Sequence, residues 1–130
     1  MIPHRTPRYY PCDWVFQPMG ENVREHWLVE VKIRQRAYDR YMLSLHKATT
    51  MLVMAATSAF MPVLVVAWTD KREVGVCDLR SVRMEPGIGG RKDRGDEQDV
   101  EPVVFFSRSA FLLEPFSPEL ADRLMTYSHA

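Results

Sequence analysis

The stretch His26-Trp27-Leu28-Val29-Glu30-Val31-Lys32-Ile33-Arg34 decides the fold, because polar and apolar residues alternate over its second half. Successive side chains of a strand point to opposite faces. Trp27, Val29, Val31 and Ile33 therefore share one face, and Leu28, Glu30, Lys32 and Arg34 share the other. A carboxylate and an ammonium thus point the same way, two residues apart. Surface strands often carry such a pattern; what sets this one apart is Asp13, in the run Pro11-Cys12-Asp13-Trp14-Val15-Phe16. Residues 13–17 read as a strand, Pro18, Gly20 and Asn22 supply turn chemistry, and residues 24–34 pair back on the first strand. That hairpin predicts Asp13 near Glu30.

Working outward, residues 35–43 show no clean period and are expected to form a loop or irregular turn. Ser44 suits an N-cap, and Leu45, Ala48, Leu52, Ala55 and Ala59 recur at helical spacing, so residues 44–59 are predicted to be an amphipathic helix. Lys47, Met51 and Met54 fall on another face of it. Pro62 ends the helical pattern, and Val63-Leu64-Val65-Val66-Ala67-Trp68 has the continuous apolar character of a strand covered on both sides. A strand, a helix and a strand in this order imply a crossover within a mixed sheet.

Residues 69–72 form a predicted turn, residues 73–79 a further strand, and residues 102–106 the last strand. Between them, residues 85–101 are rich in glycine and charge and read as a mobile loop. Phe111 to Phe116 is expected to be an apolar tail on the core, and Ser117-Pro118-Glu119 opens a short C-terminal helix. Pro3, Pro7 and Pro11 forbid a useful helix over residues 1–12, which are expected to be an extended N-terminal arm with one short strand at Tyr9-Tyr10. The expected fold class is α/β, with residues 13–130 forming a single domain around a central mixed β-sheet, a crossover helix and a short C-terminal helix.

A chain of 130 residues with 46% hydrophobic content is long enough for one real core. Its formal net charge is zero, but residues 1–50 carry eight Lys/Arg against five Asp/Glu, so the basic excess travels with the Glu30 strand. Cys12 and Cys77 have no metal-type spacing, which points to buried thiols and a reducing cytoplasm rather than a disulfide scaffold or a zinc site. The apolar run from Met51 to Trp68 is broken by Thr57, Ser58 and Pro62, so no membrane segment is expected.

Hydrolysing a phosphodiester requires neutralising phosphate charge, acidifying a water and assisting the leaving oxygen, work suited to an oxygen-ligated magnesium ion. Asp13 and Glu30 are the candidate ligands, the Val31 carbonyl completes the protein's share, and Lys32 is placed to orient the attacking water and stabilise developing charge. Mn2+ is the expected substitute for Mg2+. Arg34, Arg36 and Arg40 follow the strand and are candidates for DNA-backbone contact, as are Tyr41 and Lys47 beside or on the helix. A solvated, salt-bridged surface would carry the same letters. Trp14, Trp27 and Trp68 are expected in core packing.

Pro11-Cys12-Asp13 followed by Glu30-Val31-Lys32, on a hairpin ahead of a helix and a buried strand, resembles the PD-(D/E)xK, or restriction-endonuclease-like, nuclease superfamily. The stretch from Trp27 to Asp70, with Ser44-Leu45-His46-Lys47 and Met61-Pro62-Val63-Leu64-Val65-Val66, looks like that of small phage and prophage members, and Glu101-Pro102-Val103-Val104 is similar to their closing strand. The resemblance implies a metal-dependent DNA endonuclease of phage DNA processing or recombination, with Holliday-junction DNA as one candidate substrate. It also implies a homodimer or a subunit of a larger phage assembly, encoded by a phage or its bacterial host. Two other classes fit the same residues: a non-catalytic nucleic-acid-binding or assembly subunit with this fold, and a phage-encoded accessory factor or inhibitor that binds a host protein.

Overall fold

The alternating strand becomes an inner strand of a six-stranded sheet in a computed structural model that describes residues 2–6, 12–17, 26–58, 60–90 and 100–117. In chain order the strands are β1 (Ile2–Arg5), β2 (Trp14–Gln17), β3 (His26–Arg34) and β4 (Arg40–Ser44), followed by helix α1 (Leu45–Ser58). Then come β5 (Phe60–Trp68), β6 (Glu73–Asp78), β7 (Glu85–Gly90), β8 (Val100–Ser107) and β9 (Leu112–Pro115). The large sheet has the order β1-β2-β3-β5-β6-β9, and a three-stranded sheet has the order β4-β8-β7. Among the described strands, only β3 and β5 pair in parallel, in a register that sets Glu30 beside Leu64. The expected hairpin, crossover and mixed sheet are therefore present.

The core lies between the two sheets. Leu64, Val66 and Trp68 of β5 meet Tyr41 and Leu43 of β4, Ala48 and Met51 of α1, and Val104 and Phe106 of β8. Trp68 packs edge-on against Phe111, with ring centroids 5.0 Å apart. Gly75 of β6 makes room for this pair, since a Cβ there would stand 2.7 Å from the Trp68 ring and 2.9 Å from Phe111. Of the other tryptophans, Trp14 and Trp27 are half-buried on the opposite face of the large sheet, together with Val31 and Val65. Among the described residues, no helix is long and apolar enough to cross a membrane.

Several expectations need correction. Residues 40–44 form a strand rather than part of a loop, because Tyr41 and Leu43 alternate inward and the backbone pairs antiparallel with β8, some sixty residues later. Glu85–Gly90 likewise is no loop but a strand paired with β8. Its glycines are packing devices: a Cβ on Gly87 would stand 2.6 Å from the Phe105 ring, and one on Gly89 would run into Met42. β8 is not the last strand, for Phe111 enters the core while Leu112–Pro115 adds an edge strand to β6. Within the expected N-terminal arm, Ile2–Arg5 pairs with β2 as the edge strand, where Pro3 is tolerated.

The buried stripe of α1 is Ala48, Met51 and Ala55, with Leu45 facing outward, so the helix is rotated toward Met51 relative to the expected face. Ser44 ends β4, and its hydroxyl hydrogen-bonds Glu101 at 3.5 Å. The expected turn at residues 18–22, the strand at Tyr9-Tyr10, the charged stretch 91–99 and the helix from Pro118 onward lie outside the described residues.

The turn after β6 carries a testable cap. Asp78 accepts the Arg80 amide at 3.0 Å at the start of a single 3-10 turn and pairs with the Arg80 guanidinium at 2.9 Å. Burial alone would raise this carboxyl, but the hydrogen bonds and charge of Arg80 outweigh it and hold the carboxyl below the usual carboxylate range. A depressed folded-state pKa means the stabilisation is complete above the unfolded value and disappears as pH falls through the folded one. Asp78→Ala is expected to cost about 1 kcal/mol at neutral pH, seen as an earlier urea midpoint, with the difference from wild type vanishing in strong acid.

Candidate active site

Glu30 sits in the middle of β3, on the face that meets the core, where an apolar residue would be the default. It is 2% exposed, the single charged residue among those fully buried in the described part of the chain. Leaving a carboxylate there without partners would cost several kcal/mol. Two ammonium groups offset this: Lys32 Nζ lies 3.2 Å from Oε1, and Lys47 Nζ lies 3.2 Å from Oε2. Lys32 arrives through the strand period of two. Lys47 arrives from the first turn of α1, a helix that packs on β5 and β8 and from there reaches Glu30 on the neighbouring β3. The lysine side chains are less buried than that of Glu30, at 35% and 25% exposure against 3%.

Asp13 stands just before β2, at the edge of β3. Its Oδ2 accepts the Val31 amide at 2.9 Å, and its own amide donates to the Val29 carbonyl at 3.0 Å. Since N–H and C=O of one strand residue point to the same side, the Val31 carbonyl is directed toward the Asp13 edge as well. Thr6 fixes the segment from behind: its amide and its hydroxyl both donate to the Asp13 carbonyl, at 3.0 and 2.9 Å, and the hydroxyl also contacts the Cys12 carbonyl. Cys12 is buried in the same neighbourhood. Burial, and after it the Glu30 carboxylate, push its thiol up to about 11, so it stays protonated near neutrality and is no nucleophile.

Glu30 and Lys32 are thus paired, while Asp13 is held against the backbone of Val29 and Val31, the residues on either side of Glu30. Lys47, expected to reach DNA, is an immediate partner of Glu30. Arg34, Arg36, Arg40 and Tyr41 gather in a separate recess at the C-terminal end of β3. There the Arg34 guanidinium lies 5.5 Å from the Tyr41 ring centre, and Arg40 lies 4.4 Å from that of Phe105. Burial pushes the Tyr41 phenol up to about 12, with Arg34 pulling the other way. Sequence reasoning missed Thr6 and gave Cys12 no place at the site. Nothing in its spacing marks Thr6, which reaches the site only once β1 and β2 have paired, whereas Cys12 is there because it adjoins Asp13 in the chain.

The donor set can be tested for a cation. Among the described residues, no three His, Cys, Asp or Glu side chains cluster closely enough to share an ion. Asp13, Glu30 and the Val31 carbonyl are nevertheless all oxygen donors, the ligand type that suits magnesium, an ion that usually retains several waters and takes few protein ligands. The two ammonium groups already neutralise Glu30, one at each oxygen, so a metal ion taken by this carboxylate displaces at least one of them.

Comparison with known proteins bears on the family and the fold. The sequence profile of a family described as "Phage putative PDDEXK endonuclease" matches residues 3–113. Among solved structures, the chain is similar to Hjc, a Holliday junction resolvase from the archaeal hyperthermophile Archaeoglobus fulgidus. The TM-score is 0.53 at 15% identity, over 85% of this chain and 79% of that one. Among curated proteins, none is significantly similar. With the family profile spanning most of its length, the chain belongs to this phage PDDEXK family and carries the restriction-endonuclease-like fold.

Proposed function

We propose that the protein is a metal-dependent endodeoxyribonuclease serving phage DNA processing or recombination, with branched DNA, including Holliday junctions, as its candidate substrate. The observation that carries this reading is the buried Glu30 carboxylate, held by Lys32 and Lys47 beside an Asp13 that is pinned to the Val31 amide. Family membership and the resolvase-like fold support it.

Asp13, Glu30 and the Val31 carbonyl would hold magnesium, or manganese in its place. Bound there, the ion would neutralise phosphate charge and acidify a water. The protein's own groups do the rest. Lys32, the more exposed of the two lysines, orients the attacking water and faces the charge that develops on the phosphate. Lys47 keeps the Glu30 carboxylate in place from the helix side. Thr6 fixes the backbone that carries Asp13. Cutting two strands of a branched substrate calls for two such sites, which a second copy of the chain or a larger phage assembly supplies.

The test is cleavage of a panel of linear, nicked, forked and four-way DNA in magnesium and in manganese. Cleavage that depends on either ion is the expected result. Intact DNA across the whole panel in both ions overturns the reading.

A further inference from the structure

Beyond Lys32 the core-side face of β3 carries Arg34, and the connection to β4 closes over a recess of about 720 Å3. Its wall holds three guanidinium-bearing residues, Arg34, Arg36 and Arg40, and among the described residues that line it none is acidic. The nearby Asp70 carboxylate is turned to the Ala37 amide, which it accepts at 3.0 Å. Arg34 and Arg40 each rest against an aromatic ring, an arrangement that holds the planar fork ready for phosphate oxygens.

One further feature is unusual for a purely electrostatic patch. Tyr38 stands in the same recess with 66% of its surface exposed, an aromatic face presented to solvent. Tyr41 forms part of the wall at 4% exposure, its ring against the Arg34 guanidinium. Guanidiniums for a phosphate and a free ring for a base together match one nucleotide. A base inside a duplex is stacked and paired, and cannot enter such a recess.

We infer that this recess receives an unpaired nucleotide of the cleaved strand: Arg34, Arg36 and Arg40 take its phosphates, and Tyr38 stacks on its base. The inference rests on the proposed nuclease reading and names the feature of DNA that the site selects. Glu30 and Arg34 are four strand residues apart, about 13 Å, so the unpaired nucleotide lies within a few nucleotides of the scissile phosphate. The preferred substrate is then DNA with unpaired nucleotides beside the cut, such as a fork or an opened branch point.

Equilibrium binding by fluorescence anisotropy, in calcium so that binding is read alone, separates this from ordinary backbone contact. Three DNAs are compared: a blunt duplex, a fork with two single-stranded arms, and the same fork with abasic arms. Wild type is expected to bind the intact fork about tenfold more tightly than the duplex, and the abasic fork is expected to lose most of that gain, as base–aromatic stacking predicts. Tyr38→Ala should remove the preference while leaving duplex binding unchanged, and Tyr38→Phe should retain it. Arg36→Ala should weaken fork binding more than duplex binding. If the abasic fork binds as well as the intact one, or if the variants weaken fork and duplex equally, the inference is overturned. Magnesium-dependent cleavage of the same DNAs is read in parallel. Cleavage without fork preference leaves the nuclease reading standing and removes this one, whereas fork preference without cleavage does the reverse.

Discussion

Glu30→Gln is expected to lower the single-turnover cleavage rate by at least about a hundredfold to a thousandfold, the effect of removing one charge-stabilising group from a water-excluded site. Glutamine keeps the shape of the side chain and removes the negative charge on which both lysines converge. The change therefore tests charge rather than packing. The lysine heads are partly exposed and can turn to solvent, so the fold should survive, with circular dichroism unchanged. Glu30→Asp retains the charge but withdraws it by one methylene, about 1.5 Å, and should fall between wild type and glutamine. A Glu30→Gln protein that cuts DNA at the wild-type rate would remove this carboxylate from the chemistry, and with it the ligand role proposed for it.

How much of this was legible in the sequence follows from the range of each interaction. Glu30 and Lys32 are two residues apart on one strand, so the period of two placed them together without any knowledge of the fold. Asp13 was reachable because a hairpin is a local structure. Lys47 was the harder case: it lies on a helix whose start was expected nearly where it is, but its partner depends on how the crossover seats that helix on β5 and β8. The three-stranded sheet escaped because its pairing is long-range and its central signals are disguised. β4 carries arginine and tyrosine at positions that read as irregular, and β7 carries glycines that normally mark a loop. Those glycines serve the ring of Phe105 and the side chain of Met42, neighbours that only the folded sheet supplies. The arginine recess illustrates the same limit from the other side. Its residues were legible as a basic run after the strand, whereas the burial of Tyr41 and the exposure of Tyr38 depend on the packing of β4 against β5 and β8.

The lysine pair makes the second large prediction, and it is a prediction about stability that also reads the cation site. Removing one partner leaves Glu30 with the other, and each single substitution, Lys32→Ala or Lys47→Ala, should be tolerated at a cost of about 1 kcal/mol. Removing both strands a carboxylate that is 2% exposed, and the double variant should lose about 3 kcal/mol, more than the two single losses together. The figure lies at the low end for a broken buried ion pair because the lysine heads are themselves partly in water. Adding Glu30→Gln to the double variant should recover most of the loss, since the uncompensated charge disappears. Magnesium should do the same by a different route: if Asp13, Glu30 and the Val31 carbonyl take the ion, its binding stabilises the folded state by mass action and raises the melting temperature of the double variant more than that of wild type. Thermal melts of the five proteins with and without magnesium give all of these quantities at once. Simple additivity of the lysine substitutions would show that Glu30 is not held by the pair jointly. A double variant whose melting temperature ignores magnesium and manganese would show that the freed carboxylate takes no cation, which removes the proposed ligand set independently of any activity measurement.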